Sequence, residues 1–136
     1  MARVSKDKLS NDLLHNLFKQ LSQSLSKLPV EKINTQLYEL LGPEERIVIA
    51  KRLAAIIMLH EGHTLYRVAK TLKISTATAK KLYCGLQQKS YDNLISSLKK
   101  KKRQYGSILN LIDSMLTFGG IMPYYGQQSK MLRKVL

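Results

Sequence analysis

The sequence predicts an all-helical chain. Three observations carry that prediction. Apolar residues recur at three- and four-residue steps, the spacing of one helix face, in several segments. Helix-start and helix-stop residues bracket those segments. No segment alternates in the manner of a half-buried strand, and there is no internal repeat.

The first helix is expected over 9–28. Leu9, Leu13, Leu14, Leu17, Phe18, Leu21, Leu25 and Leu28 share its wide face, and Pro29 stops it. That face has two candidate covers: its own domain or a second copy of the chain. A short helix is expected over about 31–41, carried by Ile33, Leu37, Tyr38, Leu40 and Leu41. Gly42-Pro43-Glu44-Glu45 then starts another. Proline suits a first turn, and the two acids complement the positive end of the helix dipole. This helix runs to about His60 through Ile47, Ile49, Ala50, Leu53, Ala54, Ile56, Ile57 and Leu59. Its second half is apolar almost all round, which marks it as the central, most buried helix. Gly62 fits the residue just past its end.

Thr64 suits the N-cap of a helix at about 65–72, and Lys73-Ile74-Ser75 reads as a tight turn. Ser75 or Thr76 then caps a helix to about Leu86. A further helix is expected over 89–103, with Tyr91, Leu94, Ile95 and Leu98 on one face. Ile108, Leu109, Leu111, Ile112, Met115 and Leu116 mark the last. From Phe118 onward, Gly119, Gly120, Pro123, Tyr124, Tyr125 and Gly126 show neither period.

Composition narrows the function. The 136 residues carry 23 Lys+Arg against 9 Asp+Glu, a formal charge of +14. Apolar residues make up 44%, enough for a real core. No apolar run approaches the ~20 residues that span a bilayer. Lys, Asp, Asn and Ser interrupt any secretion-signal pattern at the N-terminus. One cysteine, Cys84, excludes an internal disulfide framework and a multi-cysteine zinc site. A soluble cytoplasmic protein with a polyanion as partner is the expectation, without a membrane role. There is no Walker-type loop and no Ser/His/Asp set, so no enzyme is expected.

The positive charge grows along the chain: +2 over residues 1–41, +5 over 42–86 and +7 over 87–136. It peaks at Lys99-Lys100-Lys101-Lys102-Arg103. Such a run is a solvated helix end, or a tether that contacts phosphates and adds salt-sensitive affinity without sequence preference.

Residues 65–86 have the layout of a helix-turn-helix. Val68 and Leu72 are its inward positions on the first helix, and Ala69 is small where the second helix crosses. Ile74 plugs the turn, and Ala79 and Leu82 face inward from the second helix. Lys73 departs from the pattern, because glycine is commonest there. In this layout Ser75, Thr76, Ala77, Lys80 and Lys81 face DNA, and Arg67, Lys70 and Lys73 lie towards the backbone. Ser and Thr suit phosphates or base edges, Ala77 a thymine methyl, and the two lysines guanine O6/N7 or phosphate. No Asn or Gln sits in the leading turn, so no base code is legible.

The match extends further. Leu41-Gly42-Pro43-Glu44-Glu45-Arg46 opens the long helix, Arg52 lies inside it, and Leu59-His60-Glu61-Gly62 closes it. With Ser75-Thr76-Ala77-Thr78 entering the second motif helix, residues 33–86 resemble the Trp repressor superfamily. The resemblance implies an all-helical regulator that binds operator DNA as an intertwined homodimer, its N-terminal helices wrapping the partner. That would give the Leu face of 9–28 its second surface. On this reading 1–41 are dimerisation helices and 42–86 the DNA-binding core. Residues 87–117 are basic C-terminal helices, and 118–136 are a Gly/Tyr tail. Tryptophan-binding members flank the indole with two arginines. Arg52 matches the first, Lys81 stands at the second, and Thr78 matches a pocket Thr. Leu82 replaces a small Gly, and Gly42 replaces a Thr. Lys lacks the flat guanidinium that stacks on a ring. Arg52, Thr78 and Lys81 are thus the candidate ligand residues, with tryptophan not the expected ligand, no cofactor expected and any effector unknown.

Lesser signals read plainly. His60-Glu61-Gly62-His63 resembles a metal pair, but Gly62 ends the helix between the histidines and no third ligand is evident. Cys84 reads as a buried structural thiol, with redox sensing the alternative. Tyr105, Tyr124 and Tyr125 pack on the domain or lie in a tail, with stacking on unpaired bases the alternative. Two other functions fit the composition: an architectural DNA- or RNA-binding protein, and an interaction module such as an antitoxin.

Overall fold

A computed structural model of the chain describes residues 7–118; of the tail expected over 118–136, Phe118 is the last residue of α7, and the rest, with Tyr124 and Tyr125, lies outside the described residues. Seven helices and no strand occur among them: α1 Asn11–Leu25, α2 Val30–Leu40, α3 Pro43–His60, α4 Leu65–Leu72, α5 Thr76–Gln87, α6 Asp92–Lys100 and α7 Lys102–Phe118. The chain divides into two compact units, one through Ile49 and one from Ala50.

In the first unit, α1 is shorter at both ends than its apolar repeat. Ser10 caps it, accepting a hydrogen bond from the Leu13 N–H at 3.2 Å. It ends at Leu25, with Ser26 extended as its C-cap and Lys27 left-handed (φ 66°), so the stop falls ahead of the expected one at Pro29. Pro29 stands at the N-cap of α2. The α2–α3 corner is pinned by one side chain. The Arg46 guanidinium donates to the carbonyls of Tyr38 (3.0 Å) and Leu41 (2.9 Å) and lies 4.4 Å from the Tyr38 ring centre. Gly42 N–H donates to Glu45 Oε1 at 2.9 Å, half of a capping box. No described residue of this unit is buried. Leu13, Leu14, Leu17, Phe18, Tyr38 and Leu40 all remain exposed.

The second unit holds the core. Ala55, Ile56, Ile57, Met58 and Leu59 at the end of α3 are all buried, as the all-round apolar pattern requires. They join Val68, Ala69 and Leu72 of α4, Ala79 and Leu82 of α5, Ile95 of α6, and Tyr105, Leu109, Ile112 and Leu116 of α7. The end of α3 closes with Gly62 at φ 99°. His63 N–H reaches the Met58 carbonyl and Gly62 N–H the Leu59 carbonyl, a Schellman closure.

Two expectations need correction. The helix expected over 89–103 is shorter. Lys89 is left-handed (φ 61°) and closes α5, α6 begins at Asp92, and the helix is interrupted at Lys101 before α7 starts at Lys102. Like charges at four-residue spacing, Lys99 and Arg103, oppose a continuous helix. Tyr105 and Leu109 must also reach the core from a redirected axis. Cys84 is exposed rather than buried, because α5 turns Ala79 and Leu82 inward and so places residue 84 outside.

Candidate nucleic-acid interface

α4 and α5 pack against each other across the turn Lys73-Ile74-Ser75. Each helix start is capped by a hydroxyl. Thr64 Oγ1 accepts from the Arg67 N–H (3.1 Å), and Ser75 Oγ accepts from the Thr78 N–H (3.0 Å). Lys73 takes φ 55°, the conformation that favours glycine at this turn. A lysine there carries about 1–2 kcal/mol of local strain. Two bonds offset it. Ile74 N–H donates to the Ala69 carbonyl, and Lys51 Nζ from α3 donates to the Lys73 carbonyl at 3.3 Å. Lys51 is thus a positioning residue that the linear pattern did not single out, since it lies 22 residues away.

The inward side of the pair is Val68, Ala69, Leu72, Ala79 and Leu82, all buried, with Ile74 packed against them. The opposite side of α5 presents Thr76, Ala77, Lys80 and Lys81, all exposed. Thr76 and Lys80 form one row, Ala77 and Lys81 the next. Lys70 and Lys73 are exposed on the α4 side, and Arg67 is half-buried. Ser75 sits at the leading edge, but its hydroxyl is engaged twice. It accepts from Thr78 N–H and donates to Thr78 Oγ1 at 2.8 Å, so its first role is capping.

Lys99, Lys100, Lys101, Lys102 and Arg103 are all exposed at the α6–α7 junction, a different helix pair. The three candidate ligand residues, Arg52, Thr78 and Lys81, are exposed as well. None lines the cavity of about 310 Å³ that holds His60, Tyr83, Gln87 and Asp92. Leu82 belongs to the buried cluster.

A buried polar contact lies below the α3–α4 corner. Tyr105 Oη donates to Glu61 Oε2 at 2.7 Å, and His63 is buried nearby in the chain. Burial first, then the hydrogen bond and charge of Glu61, push the Tyr105 phenol well above its ordinary value. Tyr105 is therefore a packing residue. Among the described residues no three His, Cys, Asp or Glu groups gather to hold a metal ion, and no helix is long and apolar enough to cross a membrane.

No protein-family model matches the chain, and neither does any curated protein or solved structure. What the surface can do follows from its own chemistry. Lysine ammonium groups and hydroxyls offer hydrogen-bond donors, and no acid lies in the segment from Leu65 to Ser90. The charge of this face is complementary to that of an anion.

Proposed function

We propose that the chain is a sequence-specific, double-stranded DNA-binding regulator that works as a homodimer. One observation carries the reading. The two helices joined by Lys73-Ile74-Ser75 bury five apolar side chains against the core and leave a hydroxyl- and lysine-bearing face of α5 in solvent. That arrangement supports a helix-turn-helix of Trp repressor type, with α5 as the recognition helix. Thr76 and Ala77 then lead into the major groove, and Lys80 and Lys81 follow. Arg67, Lys70 and Lys73 lie towards phosphates, and Lys99 to Arg103 add affinity that is blind to sequence.

The dimer has its own support. The N-terminal unit exposes a row of Leu and Phe side chains and buries none of its described residues. A second copy gives that face its cover. Tryptophan is not proposed as ligand, because Lys81 and Leu82 stand where a stacking arginine and a glycine are needed. The place of action is the cytoplasm, on the nucleoid.

The five exposed cations at the α6–α7 junction favour a second reading, a nucleic-acid binder without sequence preference. Substitution separates the two. Thr76→Ala and Lys80→Ala should weaken binding to a selected duplex by about tenfold or more, from ~1–3 kcal/mol for each base interaction removed. Binding to random-sequence duplex should change much less. Equal losses on both duplexes would take α5 out of the groove.

A further inference from the structure

We infer that Tyr66 and Lys70 form a two-donor site for one phosphodiester group of the DNA backbone, extending the interface along α4. The inference rests on the DNA-binding reading above. Lys70 Nζ donates to Tyr66 Oη at 3.1 Å and lies 5.4 Å from the centre of the Tyr66 ring. An ammonium has no acceptor, so the phenol oxygen must accept this bond. The phenol's own O–H is left to donate outward, and the ammonium keeps two more N–H groups. Two donors about one hydrogen-bond length apart therefore face solvent together.

Their place on the helix fits a phosphate track. Tyr66, Lys70 and Lys73 follow one another at steps of four and three, on the row opposite Val68 and Leu72. Tyr66 is 65% exposed despite its large apolar ring, and α4 contains no acid to pair with the row. The bond between the two side chains holds the lysine's flexible stem beside the phenol. The site is thus organised before the phosphate arrives. Nothing in it reads a base.

Binding of a selected and a random-sequence duplex across a salt series tests the site. Tyr66→Phe keeps the ring and removes only the O–H. It should weaken both duplexes equally, roughly three- to tenfold for one solvent-exposed hydrogen bond of about 1 kcal/mol. The salt slope should not change, because no charge is removed. Lys70→Ala should lower the slope by about one. On the Lys70→Ala background, Tyr66→Phe should cost less than twofold. Melting temperature serves as the control, because an exposed side chain contributes little to stability. Wild-type affinity unaltered by Tyr66→Phe would overturn the site alone. A loss confined to the selected duplex would make Tyr66 a base reader and overturn the phosphate assignment. A wild-type chain that binds no duplex would overturn the DNA-binding reading beneath it.

Discussion

Tyr105 Oη meets Glu61 Oε2 at 2.7 Å inside the core, 44 residues apart in sequence. A carboxylate that is 2% exposed relies on such donors. Tyr105→Phe should lower stability by about 2 kcal/mol at neutral pH, because a charged acceptor loses a buried partner. The phenol's raised value fixes the sign of the pH dependence. In the fold it resists ionisation, while in the unfolded chain it ionises near its ordinary 10.0. Its contribution is present below pH 10 and is lost as the pH rises beyond. Denaturant titrations of both proteins at pH 7 and above pH 10 should show the wild-type advantage shrinking. An advantage constant across that range would contradict the buried phenol–carboxylate pair. This pairing is not legible in the sequence, where Tyr105 reads only as a packing or stacking aromatic. Local spacing carries no information about a partner on another helix. Lys73 is half legible: the turn is clear, and a residue other than glycine points to a compensating contact, which Lys51 supplies.

Elements with a clear apolar phase and a polar cap are legible. α3, α4 and α5 begin and end within a residue of their expected bounds, since Pro43, Thr64, Ser75 and Gly62 act as local signals. The phase of α5 also contains the answer for Cys84. Ala79 and Leu82 point inward, so a residue five after the first points out. The break at Lys101 is not legible. Lysine is a good helix former, and neither glycine nor proline marks the stop. The consequence is functional. The basic run sits at a junction of two helices, where all five side chains reach solvent. Replacing Lys99, Lys100, Lys101, Lys102 and Arg103 by glutamine should weaken selected and random duplexes to a similar degree. The slope of log affinity against log salt should fall by about one for each phosphate no longer neutralised. An unchanged slope would remove the junction from the interface.

At the scale of the molecule, two quantities have to be explained together. The chain carries +14, and its N-terminal unit leaves apolar helix faces uncovered. The charge is legible from composition, and the all-helical fold from periodicity. The cover of the N-terminal faces is not, because periodicity defines a face and not its neighbour. Leu21, Leu25 and Leu28 are half-buried, while Leu9, Leu13, Leu14, Leu17 and Phe18 stay exposed. The proposed homodimer on DNA would answer both quantities: a partner would cover the leucines, and a duplex would neutralise the lysines. It also makes the strongest demand on the DNA, since two recognition helices related by a two-fold axis need two half-sites related in the same way. Selection from a random duplex pool at near-physiological salt, followed by sequencing, tests that demand most directly. An enriched motif with two-fold symmetry is expected, its half-sites about one helical turn apart (~10 bp) or a multiple of it. Retention of duplex with no enriched motif would contradict sequence-specific recognition by α5 and leave a basic protein that binds nucleic acid through charge alone.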